Sequence, residues 1–218
     1  MKPYPLKCNP EFKNRVWGGR ALEQFGLALP EGPIGEGWMI GDHPNGTTTV
    51  ANGELAGLGL DRIRELYGKT LFGSKGFSEK NGRFPLLIKL LDCQDDLSVQ
   101  VHPNDHYERL PQGELGKTEM WYILDAKPGA KIIYGLQEGV TREQLAAAIA
   151  DNRIMDCSMK FPSKPGTAST FRPVRCTLSA PAYWSRKFSK TPTAPTGCTI
   201  TTGSDWTASR ESCILKIR

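Results

Sequence analysis

Continuous and alternating apolar runs predict a series of β-strands in the middle of the chain. Residues 84–92 form a nearly unbroken apolar run, which is typical of a strand that is buried on both faces. Residues 97–102 alternate between apolar and polar side chains, as a strand with one buried face does. Residues 119–125 and 130–136 predict two more strands, and the turn sequence at residues 127–129 joins them.

Two short segments follow a helical period instead. In the first, Leu60 and Ile63 lie on one side of a helix that is expected to cover residues 61–67 and to stop at Gly68. The second, residues 141–150, opens with a threonine and a glutamine three positions apart, which is the sequence of a capping box. Because strands dominate and helices are inserted between them, we expect an all-β, mainly antiparallel chain. Its expected architecture is a β-sandwich or small barrel with short helices.

The sequence changes character near Cys157. Residues 157–218 contain 10 Lys or Arg against 2 Asp or Glu, a balance of +8, whereas residues 1–156 have a balance of −3. No period of 2 or 3.6 continues into the tail, and its Ser-, Thr- and Pro-rich composition is typical of a linker. We therefore divide the chain into a folded region, 1–156, and a basic tail, 157–218. The tail is expected to be poorly ordered, with few core contacts.

Composition argues against several classes of protein. No run of 18 apolar residues could span a membrane, and the N-terminus lacks the apolar core of a signal peptide. We therefore expect a cytoplasmic protein whose six cysteines stay reduced, since they form no C-x-x-C pair. The basic tail lacks interleaved aromatic residues, so a nucleic-acid partner is not expected. The sequence leaves the oligomeric state open.

The candidate chemistry lies at the end of one predicted strand and the beginning of the next. Gln100 and His102 are two residues apart, so their side chains point to the same side of a strand. Lys117 and Glu119 share a face by the same rule, and pairing of the two strands would bring all four side chains together. An imidazole, a carboxylate and an amide oxygen form a plausible Zn²⁺ site. A lysine beside it would stabilise charge or carry protons.

A less specific interpretation of these residues is also open. A Gln-x-His pair on a strand is more often a solvated or hydrogen-bonded outer face than a metal site. His43 and His106 lie among turn residues, so both are expected in loops and not among the ligands. The sequence contains no glycine-rich phosphate loop, Ser/His/Asp set or zinc-finger spacing.

Longer motifs in the chain resemble the short bacterial type I mannose-6-phosphate isomerases, also called phosphomannose isomerases. They are LIKLLDCQDDLSVQVHPND, GELGKTEMWYILD, NRVWGGRAL and GEGWMIGDHPNGTTTVANGEL, and the resemblance covers residues 1–156. It implies a cupin, a β-sandwich or jelly-roll barrel, that binds one zinc ion and interconverts the sugar phosphates mannose 6-phosphate and fructose 6-phosphate. By this resemblance Gln100, His102 and Glu119 are zinc ligands, and Lys117 is an active-site lysine.

The tail departs from this family. The resemblance implies a second histidine ligand and an active-site arginine from later strands, yet residues 157–218 contain no histidine. Reading the tail one base out of frame can restore a family-like ending. In that reading the histidine codon spans Cys176 and Thr177, and the arginine codon spans Thr196 and Gly197. We therefore expect a frameshifted tail, a barrel that is incomplete at its C-terminal side, and doubtful catalysis. The alternative is a cupin that binds a metal or a sugar phosphate without catalysis.

Overall fold

The structure is a computed structural model that describes residues 4–73, 82–97, 99–108, 110, 115–171, 176–179, 183–190 and 198–200. The strands are β1 (Cys8–Asn9), β2 (Glu11–Gly19), β3 (Ile34–Ile40), β4 (Asp42–His43), β5 (Gly46–Thr47), β6 (Thr49–Val50), β7 (Leu86–Cys93), β8 (Val99–Val101), β9 (Glu119–Ala126), β10 (Lys131–Leu136), β11 (Ser158–Pro162), β12 (Ala168–Phe171), β13 (Cys176–Ser179), β14 (Tyr183–Lys190) and β15 (Cys198–Ile200). The α-helices are α1 (Leu60–Tyr67), α2 (Lys69–Phe72) and α3 (Arg142–Ala150), and short 3-10 helices cover Ala21–Phe25, Gly53–Leu55 and Ile154–Asp156. None of the helices in the described ranges is long and apolar enough to cross a membrane.

Two antiparallel sheets form the body of the fold. In the described part of the chain, one has six strands in the order β12-β9-β14-β7-β3-β2, and the other has five in the order β11-β10-β13-β8-β15. Trp121, Ile123 and Phe171 of the six-stranded sheet pack with Ile132 of the five-stranded sheet, so the sheets face each other across a shared core. This arrangement confirms the mainly antiparallel β-sandwich that the apolar pattern predicts.

Both predicted helices are present close to their expected bounds. The first, α1, ends at Gly68, whose φ of 46° is a conformation that glycine adopts most easily. The second, α3, begins with the predicted capping box. The Thr141 hydroxyl accepts the Gln144 N–H at 3.2 Å, and the Gln144 side chain accepts the Thr141 N–H at 2.8 Å. Leu145 and Ile149 of α3 pack against the five-stranded sheet, which places this helix on the outside of the sandwich.

The four strands that the pattern predicts correspond to β7, β8, β9 and β10. However, β8 belongs to the five-stranded sheet and β9 to the six-stranded sheet, so these two strands do not pair, and pairing is not what brings the candidate side chains together. The packing of one sheet on the other brings the ends of β8 and β9 together instead. The N-terminal strands β2 and β3 were not predicted, because Gly35 and Gly37 interrupt the apolar pattern of β3.

Residues 158–171 continue the fold past the predicted boundary near Cys157. Strand β11 pairs with β10 and β12 pairs with β9, and Phe171 is only 2% exposed. This part of the tail therefore has core contacts that its composition did not predict.

The backbone of β13, β14 and β15 also pairs within the two sheets, and β14 lies between β9 and β7. Strands therefore occupy the side of the sandwich where an open edge was expected, because ladder hydrogen bonds form between backbone groups whatever the side chains are. The division of the chain between residues 156 and 157 rests on composition, so it stays a prediction.

Candidate functional site

A buried histidine and a buried carboxylate meet where the two sheets face each other. His102 follows the last residue of β8, and Glu119 is the first residue of β9. Their side chains are 9% and 0% exposed, and His102 Nε2 lies 3.4 Å from Glu119 Oε1. These two candidate residues are therefore in contact, although they lie on strands of different sheets.

Lys117 and Trp121 complete the surroundings of the Glu119 carboxylate. Lys117 Nζ lies 2.8 Å from Glu119 Oε1, and the lysine side chain is 16% exposed. The indole N–H of Trp121 donates to Glu119 Oε2 at 3.0 Å. The hydrogen bond from Trp121 and the adjacent ammonium of Lys117 offset part of the cost of burying this carboxylate.

The loop after His102 fixes the position of Lys117. The Lys117 N–H donates to the Pro103 carbonyl at 3.0 Å, and the Gly116 N–H donates to Asp105 Oδ1 at 2.7 Å. A Cβ atom at position 116 would lie 2.4 Å from the carbonyl carbon of Asn104, so only glycine allows the two segments to approach so closely. The local sequences HPND and GK therefore bring the lysine to the histidine.

Gln100 lies in the middle of β8, two residues before His102. The valines on either side of it pack with the side chains of α3, so the alternation of the strand directs Gln100 and His102 toward the six-stranded sheet. The β8 ladder aligns Gln100 with Thr177 of β13 on one side and with Thr199 of β15 on the other. The backbone of the tail thus runs directly beside the candidate site.

The donor atoms of this site fit a zinc ion. Zinc binds imidazole nitrogen and carboxylate oxygen at about 2.0–2.2 Å, so two such ligands in a tetrahedral arrangement lie about 3.3 Å apart. The distance of 3.4 Å between His102 Nε2 and Glu119 Oε1 agrees with that spacing. Among the described residues, no three His, Cys, Asp or Glu side chains form a metal-binding group. Within these ranges a third protein ligand would therefore be an amide, such as that of Gln100.

The other two histidines lie away from this pair. His43 is buried in β4, its Nδ1 accepts the Asn45 N–H at 3.0 Å, and its ring packs edge-on against Trp38. His106 is exposed in the loop after β8, where its N–H donates to Asn104 Oδ1 at 2.9 Å. His106 is therefore a loop residue, as expected. His43 was also expected in a loop, but it lies in the short strand β4 and is buried.

A second buried carboxylate has a closely similar environment. Glu36 of β3 is 7% exposed; its Oε2 lies 2.6 Å from Lys89 Nζ and accepts the indole N–H of Trp38 at 2.9 Å. Arg15 Nε donates to Glu36 Oε1 at 2.9 Å. Burial alone would raise the pKa of Glu36. The charges of Lys89 and Arg15, with the hydrogen bonds from Lys89 and Trp38, outweigh burial and hold that pKa well below its ordinary value.

The sequence analysis did not identify this second cluster, although the chain contains two signals of it. The spacing Glu-x-Trp occurs at residues 36–38 and again at 119–121, and on a strand it places the two side chains on one face. In addition, Lys89 interrupts the apolar run of β7, and a lysine is rarely buried unless it is paired.

Both carboxylate clusters lie on the inner face of the six-stranded sheet. Trp38 is aligned with Lys89 across β3 and β7, and the backbone of Lys187 in β14 is aligned with both Lys89 and Trp121. Directly opposed residues share a face of a sheet, so Lys89 points to the same side as Trp121 and Glu119. Because one strand separates β7 from β9, the backbones of Lys89 and Trp121 lie about 10 Å apart.

Comparison with known protein families identifies the family to which the chain belongs. The family model for the catalytic domain of type I phosphomannose isomerase matches residues 5–120. The chain belongs to the type I phosphomannose isomerase family. The matched range contains Gln100, His102, Lys117 and Glu119, and it also contains the Glu36 cluster.

Individual relatives agree with this assignment. Mannose-6-phosphate isomerase ManA of Bacillus subtilis is 43% identical over 167 residues, which are 76% of this chain and 51% of that protein. This chain therefore spans about half the length of that relative. A crystal structure of the mannose 6-phosphate isomerase from Bacillus subtilis is 33% identical and has a TM-score of 0.78, covering 91% of this chain and 61% of that one. A zinc-bound mannose 6-phosphate isomerase shares the fold at 14% identity, with a TM-score of 0.69 and coverage of 92% and 71%.

Proposed function

We propose that this chain carries the site of a zinc-dependent aldose–ketose isomerase that interconverts mannose 6-phosphate and fructose 6-phosphate. The observation that supports this function best is the contact of His102 Nε2 with Glu119 Oε1 at 3.4 Å, with Lys117 Nζ 2.8 Å from the same oxygen. A buried imidazole and carboxylate can hold a metal, and a lysine beside them can act on the substrate that the metal binds.

Gln100, His102 and Glu119 would hold one zinc ion. Bound zinc supplies a Lewis acid that stabilises the negative charge developing on a substrate oxygen. Trp121 holds the carboxylate of Glu119 through its indole N–H, and outer contacts of this kind orient a metal ligand. Burial of His102 and Glu119 also keeps bulk water from the site, which strengthens the charge interactions within it.

Lys117 is the residue that we assign to proton transfer or to binding of the reacting oxygens. Isomerisation moves a proton between two adjacent carbons through an enediol. The Lys117 ammonium carries protons, and its ion pair with Glu119 keeps it at the metal-binding pair. The backbone hydrogen bond to Pro103 limits how far the lysine can move from His102.

We propose that catalysis by this chain is weak, because its tail contains no histidine. In the out-of-frame reading the histidine codon spans Cys176 and Thr177, and β13 aligns Thr177 with Gln100. The lost ligand would therefore have come from a position beside the site. A cupin that binds zinc or a sugar phosphate without turnover is the second candidate, and the missing histidine favours it. A cytoplasmic location and a small sugar-phosphate partner belong to the same proposal.

The test compares the 218-residue chain with a version in which the reading frame of the tail is restored. Both are loaded with zinc, and the turnover of mannose 6-phosphate and the zinc content are measured. We expect isomerisation by both, with the restored version far faster. Zinc binding without turnover by this chain would favour the second candidate. Comparable turnover by the two would contradict the frameshift argument, and no turnover by either would contradict the proposed function.

A further inference from the structure

Two turns with the sequence Lys-Pro-Gly lie together at one end of the sandwich. Residues 127–130 connect β9 to β10, and residues 164–167 connect β11 to β12, so each turn passes from one sheet to the other. In each turn the N–H of the fourth residue donates to the carbonyl of the lysine, at 3.0 Å and 3.1 Å respectively. The two glycines have φ values of 83° and 84°, and the third position of a type II turn requires such a positive φ. Each turn therefore presents one lysine at the same end of the fold.

The two turns and the adjoining parts of β10 and β11 line a pocket, which we call the turn pocket. Its volume of about 530 Å³ is within the range of small-molecule sites. Four lysines line it, and they are Lys127, Lys131, Lys160 and Lys164. Lys131 is aligned with Pro162, so Lys160, two residues earlier, is its diagonal neighbour on the same face of the sheet. The turn pocket thus gathers lysines from two turns and from two paired strands.

Little negative charge opposes these lysines. The described residues that line the turn pocket include no Asp or Glu. Lys127 Nζ lies 2.9 Å from Gln94 Oε1, which is a neutral amide oxygen. Asp96 interacts electrostatically with Lys131, but it is a single carboxylate outside the lining. The turn pocket therefore carries net positive charge, and its lysines repel one another unless an anion lies between them.

A buried serine hydroxyl is a second, independent sign of a ligand. Ser163 lines the turn pocket and is 8% exposed. Its backbone is fixed, since its N–H donates to the Ala130 carbonyl at 2.9 Å. Within the described ranges, however, its Oγ has no hydrogen-bond partner. A buried hydroxyl without a partner is unfavourable, and an oxygen of a bound anion would accept its hydrogen bond.

We propose that the turn pocket binds a small anion with two phosphate groups, such as pyrophosphate or a diphosphate ester. Lysines bind phosphate oxygens as point charges, and four of them suit a ligand with more charge than a single phosphate carries. Strand β9 runs from Glu119 to Ala126, so the turn pocket lies about 24 Å along the strand from the candidate metal site. It is therefore a separate site, and the inference does not need the proposed isomerase activity. Lys160 and Lys164 belong to residues 157–218, so the tail supplies two of the four lysines.

The experiment is calorimetric titration of pyrophosphate into the full 218-residue chain, dialysed against a chelator so that zinc does not bind the probe. The main variant carries Lys131→Gln and Lys160→Gln, which remove two exposed charges from the turn pocket. Its dissociation constant should be at least about tenfold higher than that of the parent chain, because each lost lysine removes a charge-assisted contact. Inorganic phosphate should bind the parent chain at least about tenfold more weakly than pyrophosphate, because fewer lysines can contact it.

Two further variants separate a specific pocket from general charge. Lys7→Gln with Lys69→Gln removes the same charge from exposed lysines that do not line the turn pocket, and the dissociation constant should stay within about twofold. Ser163→Ala removes only the hydroxyl and should raise the dissociation constant about threefold. Urea unfolding of Ser163→Ala should show no loss of stability, since that hydroxyl has no partner in the described part of the chain.

Absence of pyrophosphate binding by the parent chain would overturn this inference, and so would equal losses in the two lysine variants. Phosphate binding as tight as pyrophosphate binding would contradict a ligand with two phosphate groups. Lower stability with unchanged binding in Ser163→Ala would contradict the role of this hydroxyl in the pocket. Single-stranded DNA that binds more tightly than pyrophosphate, and is lost in the same lysine variant, would overturn the small ligand in favour of a nucleic-acid surface. None of these results depends on turnover, so failure of the proposed isomerase activity leaves the test intact.

Discussion

Replacing Glu119 with glutamine should destabilise the metal-free chain, because it leaves the ammonium of Lys117 without its partner inside the sandwich. Removing one partner of a buried ion pair costs about 3–5 kcal/mol. The side chain of Lys117 is 16% exposed and can still reach some water, so we expect a smaller loss. Our value for Glu119→Gln is about 2–3 kcal/mol in the free energy of unfolding.

A second substitution should recover much of that loss. Lys117→Met removes the ammonium and keeps an unbranched side chain of similar length, so the variant with both changes contains no unpaired buried charge. We expect it to be about 1–2 kcal/mol more stable than Glu119→Gln alone. Glu65→Gln, which breaks the exposed ion pair between Glu65 and Arg62, provides the matched control. Both members of its ion pair are more than half exposed, so this change should cost at most about 0.5 kcal/mol.

Urea unfolding followed by circular dichroism, with a chelator present, measures these differences at pH 7. The dependence of the free energy on urea concentration should be the same for all variants, since the surface exposed on unfolding does not change. A Glu119→Gln chain as stable as the parent, or a double variant less stable than either single variant, would show that Lys117 and Glu119 do not form the buried pair described above.

Three further predictions concern other parts of the molecule. The pKa of Glu36 lies below its ordinary value of 4.5 in the folded chain, so its charge stabilises the fold above that pH and the contribution is lost as the pH falls toward the lower value. The destabilisation by Glu36→Gln in urea unfolding should therefore be largest at pH 7 and should shrink below pH 4.5; a constant difference would contradict this. Thr177→His should raise the zinc affinity at least about tenfold in a chelator competition, because Thr177 is aligned with Gln100. Leu178→His should not, because it is aligned with Ile133, which packs on the α3 side of the sheet; equal effects would argue against the frameshift. Phe171→Ala should cost about 3–5 kcal/mol in urea unfolding, because Phe171 is 2% exposed; a loss below about 1 kcal/mol would exclude β12 from the core.

The elements with strong local signals were predictable from the sequence. The apolar run of β7 and the alternation in β9 identify strands, because burial on two faces or one leaves a direct mark on the order of residues. The capping box at Thr141 locates α3 for a similar reason, since the hydrogen bonds that begin this helix come from residues only three apart. The fold class followed from these elements and from the motifs of the family.

The arrangement of the strands was not predictable in the same way. The spacing of Gln100 and His102 shows that their side chains share one face of β8. It does not show whether the residues opposite that face belong to a neighbouring strand or to another sheet. The contact between His102 and Glu119 depends on how the sheets stack, which no local pattern records. The ion pair of Glu36 with Lys89 depends on the register of β3 and β7, and that register joins residues more than 50 positions apart.

The tail shows the limit of composition as a guide. Its lack of apolar periodicity predicted few contacts after residue 157, yet Phe171 lies in the core and β11 and β12 pair with strands of the folded region. Backbone pairing needs only free N–H and C=O groups, so a segment of unsuitable composition can still align with an open strand.

Zinc content after dialysis is the measurement that tests the central claim most directly. The parent chain, His102→Ala and His106→Ala are each loaded with zinc, dialysed and analysed by mass spectrometry for metal per chain. The two substitutions remove the same side chain, but His102 lies against Glu119 and His106 lies exposed in a loop. We expect one zinc ion per chain in the parent and in His106→Ala, and a loss of zinc in His102→Ala. Equal zinc in both variants, or none in the parent, would contradict the assignment of His102 and Glu119 as a metal-binding pair.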